Sequence, residues 1–140
     1  MNRARGNNCA ITFRNQEHEM FYRSCLQKCR QQDAYHKALV YCLGISGDTR
    51  RNIGRIFDFE KGSVKSKCLE EGWITSGSAR VVRMAFNLFC NGALEGDEKV
   101  KECQRYTVED LFCCEYAVYF WEAVRLRYPE YCFPAGLSGI

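Results

Sequence analysis

Three groups of residues in this chain have the types and spacings for chemistry. The first is Thr75-Ser76-Gly77-Ser78, leading into a helical pattern that bears Arg80, Arg83 and Asn87. A helix start offers unpaired backbone N–H groups and positive potential, and both attract anions. Small residues let a phosphate approach the backbone closely. Positions 80, 83 and 87 fall at i, i+3 and i+7, on one polar face. A similar start at Asp48-Thr49 carries Arg50 and Arg51. If the two starts meet in space, Arg50, Arg51, Arg80 and Arg83 form a cradle that grips a phosphate-containing ligand through paired N–H donors. An ordinary capped helix with a solvated face accounts for the same residues and is the plainer reading.

The second group is His18, Cys25 and Cys29 on one helix face, with Cys42 or Cys114 as a fourth ligand. Converging thiolates and imidazole are what zinc requires, usually with a C-x2-C pair. The chain has no such pair, so buried free thiols are expected, with no metal and no cofactor. The third group is Glu115 with Glu122, flanked by Tyr116, Tyr119 and Trp121. Burial there would raise carboxylate pKa values, as general acid–base work needs. On one helix their Cα atoms stand roughly 10 Å apart, far for a cooperative pair. Ion pairing of Glu122 with Arg125 or Arg127 is the alternative. The chain contains no P-loop, no G-x-S-x-G and no H-E-x-x-H, so no catalytic residue is expected.

These side chains need helices to hold them. The longest pattern runs from Thr107 to Arg127. Thr107 suits an N-cap, Glu109 and Asp110 suit the first turn, and Arg125 and Arg127 suit the last. Between those ends the segment is apolar on nearly every side, which predicts a buried central helix. Trp121→Ala is then expected to cost about 3–5 kcal/mol. Its acidic and arginine side chains argue against a membrane span. Asn15 predicts a helix over Gln16–Gln31 whose inner face is His18, Phe21, Tyr22, Cys25 and Cys29. Asp33 predicts a short buried helix from Ala34 to Leu43, stopped by Gly44. Further helices are expected over 49–57, 65–71 and 79–90, and a polar one over 97–104. Glu60-Lys61-Gly62-Ser63 reads as a turn.

With 140 residues, 46% hydrophobic and 14% aromatic, the chain can build one core without staples. The expectation is a single all-α domain of five to six helices over residues 9–134. A flexible basic start occupies 1–8 and a tail 135–140. The net charge of +3 neither requires nor excludes nucleic acid. Ten cysteines would suggest disulfides in a secreted protein, but MNRARGNNCAITF has no stretch of signal-peptide character. A cytoplasmic protein with reduced thiols is therefore expected.

Four blocks in this order resemble a family of small uncharacterised proteins: QEHEMFY, DAYHKALVYCLGISGDTRRN, WITSGSARVVRMAFNLF and EDLFCCEYAVYFWEAVRLRYPEY. Together they span most of residues 13–132. The family occurs in gut-type Gram-positive bacteria, often near phage and plasmid genes, and has no assigned activity. The resemblance implies a mobile-element context, in which small proteins often inhibit host defence. The expected function is accordingly non-enzymatic and anti-CRISPR-like. The protein would bind and inhibit a bacterial protein or nucleoprotein complex, such as a Cas9-type nuclease. Its aromatic residues would serve as interface anchors. Arginines at 50, 51, 55, 80 and 83, and acids at 95, 97 and 98, would give its helix faces both signs of charge. The alternative is a small-ligand binder holding a phosphate or nucleotide at the arginine-flanked helix starts.

Overall fold

The computed structural model of the chain describes residues 10–92 and 99–132. The expected basic start at 1–8, the tail at 135–140 and the acids at 95, 97 and 98 lie outside these residues. Within them the fold is all-α apart from one two-residue ladder.

Local capping sets the first helices. The Asn15 side chain accepts from the His18 amide at 2.8 Å and opens α1, Gln16–Lys28. Asp33 accepts from the His36 amide at 3.0 Å and opens α2, Ala34–Leu43. From Ala38 to Leu43 every side chain of α2 is buried. Gly44 ends α2 where no side chain fits: a Cβ there would lie 2.7 Å from Cδ2 of His18 and 2.9 Å from Cδ1 of Phe21.

The helix expected over 49–57 is two short ones, α3, Gly47–Arg51, and α4, Ile53–Ile56. Asn52 divides them, its side-chain amide donating to the Asp48 carbonyl at 2.8 Å and competing with the helical ladder. The chain then extends into β1, Phe57–Asp58, which pairs antiparallel with β2, Ser63–Val64. The turn between them places Gly62 at φ 70, in the left-handed region. A 3₁₀ turn follows over Ser66–Glu70.

Helix α5, Ser76–Cys90, starts three residues earlier than the pattern of apolar residues predicts. Thr75 and Ser78 cap each other reciprocally, and Asn91 at φ 63 terminates it. Short α6, Lys99–Gln104, leads to α7, Val108–Phe112, then α8, Ala117–Arg127, and α9, Pro129–Cys132.

Two corrections follow for the predicted central helix. The segment from Thr107 to Arg127 is two helices separated by a turn over Cys113–Tyr116. Tyr116 leaves the helical path and packs over Gly77, its ring edge 3.6 Å from where a Cβ would stand. The centre of the fold is instead α2, against which α1, α5 and α8 all pack. The core joins Leu39, Tyr41 and Leu43 of α2 to Val81 and Phe86 of α5 and Phe120 of α8. Each such side chain contributes about 1.5–3 kcal/mol of transfer free energy when fully buried.

Candidate functional site

The polar stripe on α5 is where the sequence places an anion site, and the structure gives those side chains protein partners. Arg80 donates through Nε to the Asp110 carbonyl at 2.9 Å. Arg83 forks onto Glu102, with Nε at 2.6 Å from Oε2 and Nη2 at 3.3 Å from Oε1. Asn87 donates to the Tyr106 carbonyl at 3.2 Å. One face of α5 thus fastens the chain from Glu102 to Asp110 along its length. At the helix start, the Ser78 amide donates to Thr75 Oγ1 at 3.1 Å and the Thr75 amide to Ser78 Oγ at 2.8 Å. Gly77 accommodates the Tyr116 ring.

Arg50 and Arg51 are engaged elsewhere. Arg50 donates through Nη1 to the Gly44 carbonyl at 2.7 Å, and Arg14 through Nη1 to the Ile45 carbonyl at 2.9 Å. Two guanidiniums therefore meet the carbonyl end of α2, where the helix dipole favours positive charge. Arg51 pairs with Asp48. Neither Arg50 nor Arg51 lines the cleft that holds Arg80 and Arg83.

A different arginine completes the cleft that does form. Thr75, Ser76, Arg80 and Arg83 share a cleft of about 310 Å³ with Arg105 and Asp110. Arg105 is exposed, and no ion pair or hydrogen bond links its side chain to another described residue. Sequence reading missed Arg105, because nothing in the charged stretch before Tyr106 sets it apart.

On the other side of the same chain segment lies an apolar cleft of about 540 Å³. Met84 and Leu88 of α5 form one wall, Val108, Leu111 and Phe112 of α7 another, and Trp121, Val124 and Tyr128 the third. Leu111 is buried at its floor, while Val108 is 73% and Trp121 49% exposed. Val118, three residues before Trp121 on α8, is 61% exposed. Sequence reading put Trp121 in the core, since both faces of α8 are apolar. The structure buries the face carrying Phe120 and Ala123 and leaves the other open.

The carboxylates of the third group separate. Glu115 is exposed in the turn before α8, while Glu122 is 8% exposed. Glu122 accepts from the Thr12 amide at 3.2 Å and pairs with Arg125 at 3.4 Å. These contacts are structural, and Glu115 shares none of them.

His18 is fully buried and both of its ring nitrogens are used. Nε2–H donates to the Tyr41 carbonyl at 2.8 Å, and Nδ1 accepts from the Arg14 amide at 3.0 Å. Burial pushes its pKa down to about 4, and the charges of Arg50 and Arg14 add to the effect. Cys25 and Cys29 are buried too, with the Cys29 thiol donating to the Cys25 carbonyl at 3.5 Å. Burial pushes the Cys29 thiol up to about 11, away from the thiolate that a metal needs. Among the described residues no three His, Cys, Asp or Glu side chains gather as metal ligands. No helix among them is long and apolar enough to cross a membrane.

Neither a curated protein nor a solved structure matches the chain. The model of DUF6075, a family of unknown function, matches residues 8–136, and the chain belongs to that family.

Proposed function

We propose that the protein works by stoichiometric, non-enzymatic binding to a bacterial protein or nucleoprotein complex, with the apolar cleft beside Trp121 as its contact surface. The observation that carries this reading is the setting of Trp121, which stands 49% exposed at the edge of a cleft of about 540 Å³. Tryptophan dominates binding energy in protein interfaces, most of all beside a pocket that sheds water on docking. Contiguous exposed apolar surface of this kind marks interaction sites.

The partner class is a defence complex, a Cas9-type nuclease being the first to test. The mobile-element context implied by the family resemblance supports that choice. The phosphate-ligand alternative draws less support, because Arg80 and Arg83 already hold the chain from Glu102 to Asp110. Titrating a purified Cas9-type nuclease with the protein tests the proposal. Cleavage should stop near one protein per complex, and the recovered nuclease should be chemically intact. Inactivation at far lower ratios would make the protein an enzyme and overturn the reading.

A further inference from the structure

The two clefts flank a single ridge, residues 105–112, resting on α5. Arg105 and Asp110 face the arginine-lined cleft, whereas Tyr106, Val108 and Leu111 face the apolar one. Along α5, Ser76, Ala79, Arg80 and Arg83 line the first, and Met84, Asn87 and Leu88, with Asn91 just past the helix, line the second. On the helix axis these two sets of lining residues are centred about two turns apart, roughly 12 Å.

We propose that both clefts form one docking surface for an acidic amphipathic segment of a protein partner. Its apolar side chains enter the cleft beside Trp121, and a carboxylate about two turns along meets Arg105. This rests on the apolar-cleft reading above and adds the chemistry of the segment that fills it.

Charge selects the second half of the ligand. The cleft is lined by three guanidiniums, those of Arg80, Arg83 and Arg105, and by one carboxylate, that of Asp110, while Glu102 pairs with Arg83. Among the described residues of the cleft, with Glu102 counted against Arg83, one positive charge remains in surplus, which suits a single carboxylate better than a phosphate dianion. Glu102 holds Arg83 and the Asp110 carbonyl holds Arg80, so Arg105 is the side chain positioned to receive the ligand. A guanidinium–carboxylate contact is charge-assisted, directional and sensitive to salt.

A random dodecapeptide library displayed on phage, selected on the full-length protein, tests the proposal. Selected peptides are synthesised and titrated against wild type, Trp121→Ser and Arg105→Glu, each variant first shown to melt like wild type. The expected peptides combine apolar anchors with Asp or Glu, and Trp121→Ser weakens all of them. Arg105→Glu weakens them about tenfold at low salt, the size of one charge-assisted contact. Changing the acidic residue of the peptide to its amide should cost the wild-type complex a similar factor and the Arg105→Glu complex almost nothing. Peptides that depend on Trp121 but show no acidic bias would overturn this inference and leave the apolar-cleft reading standing. Selection indifferent to Trp121→Ser would overturn both. Inorganic phosphate that binds at Arg105 while acidic and amide peptides bind alike would replace the partner carboxylate with a free anion and also overturn it.

Discussion

The amide of Thr12 donates to the carboxylate of Glu122 at 3.2 Å, joining the chain ahead of α1 to the inner face of α8. The Tyr41 hydroxyl donates to the Thr12 carbonyl, and the Arg14 amide donates to His18. A short strap thus lies across the carbonyl end of α2, held by side chains from three helices. The strap brings Arg14 within 5.2 Å of the Tyr116 ring centroid, so it also braces the turn before α8.

Removing the Glu122 carboxylate should loosen the strap and leave the Thr12 amide unpaired. Glu122→Ala is expected to cost about 1.5–3 kcal/mol, the range for a hydrogen bond to a charged group. Urea unfolding measures this. A loss under roughly 0.5 kcal/mol would mean water replaces the contact freely.

His18 makes stability depend on acid. Burial holds the folded ring at about 4, against an ordinary value of 6.5. The unfolded chain therefore takes up the proton first as pH falls. Stability from neutral His18 is complete above about 6.5 and is lost progressively down to about 4. The total loss is about 3 kcal/mol at the usual conversion. Protonation also removes the Nδ1 acceptor that the Arg14 amide uses. Denaturant midpoints measured between pH 7 and 4 should fall accordingly, and the decline should be shallower in His18→Gln. A flat wild-type profile over that window would contradict the assignment.

Arg83→Ala should detach the chain around Glu102 from α5. The pair is bidentate and largely shielded, so a loss of about 1–3 kcal/mol is expected. Amide hydrogen exchange should accelerate through residues 102–111 more than in α2. Uniform acceleration across the molecule would indicate that the pair supports the global fold rather than this segment.

Trp121→Ala separates the observed architecture from the one the sequence suggests. A core tryptophan would cost about 3–5 kcal/mol. A half-exposed cleft residue should cost under about 1 kcal/mol in the free protein. A thermal melt distinguishes the two.

Much of the fold was legible because its signals are local. Asn15, Asp33 and Thr107 each cap the helix that follows, through side chains within three residues of their targets, whereas Thr75, the cap of α5, stands four residues ahead of the apolar pattern that begins at Ala79. The run from Leu39 to Leu43 read correctly as a buried helix. The turn at Cys113–Tyr116 was hidden, since no glycine or proline marks it. Its partner, Gly77, is far away in sequence. The brief ladder at Phe57 was hidden by a helical spacing of Ile53, Ile56 and Phe57. The site was half legible. Arg80, Arg83 and Asn87 do share a face, but their partners lie 30, 19 and 19 residues away, and no local pattern reports them. Apolar residues all round α8 read as burial on every side, whereas one side lines an open cleft.

Quantitative co-isolation tests the binding account most directly. Tagged wild type and Trp121→Ser are expressed in a bacterial host, and the proteins recovered with each are quantified by mass spectrometry. The account predicts one protein or nucleoprotein complex recovered near one-to-one with wild type. Recovery with Trp121→Ser should be roughly tenfold lower or less, with its melting temperature unchanged. Equal recovery of that complex by both proteins, or no stoichiometric partner for wild type, would contradict it.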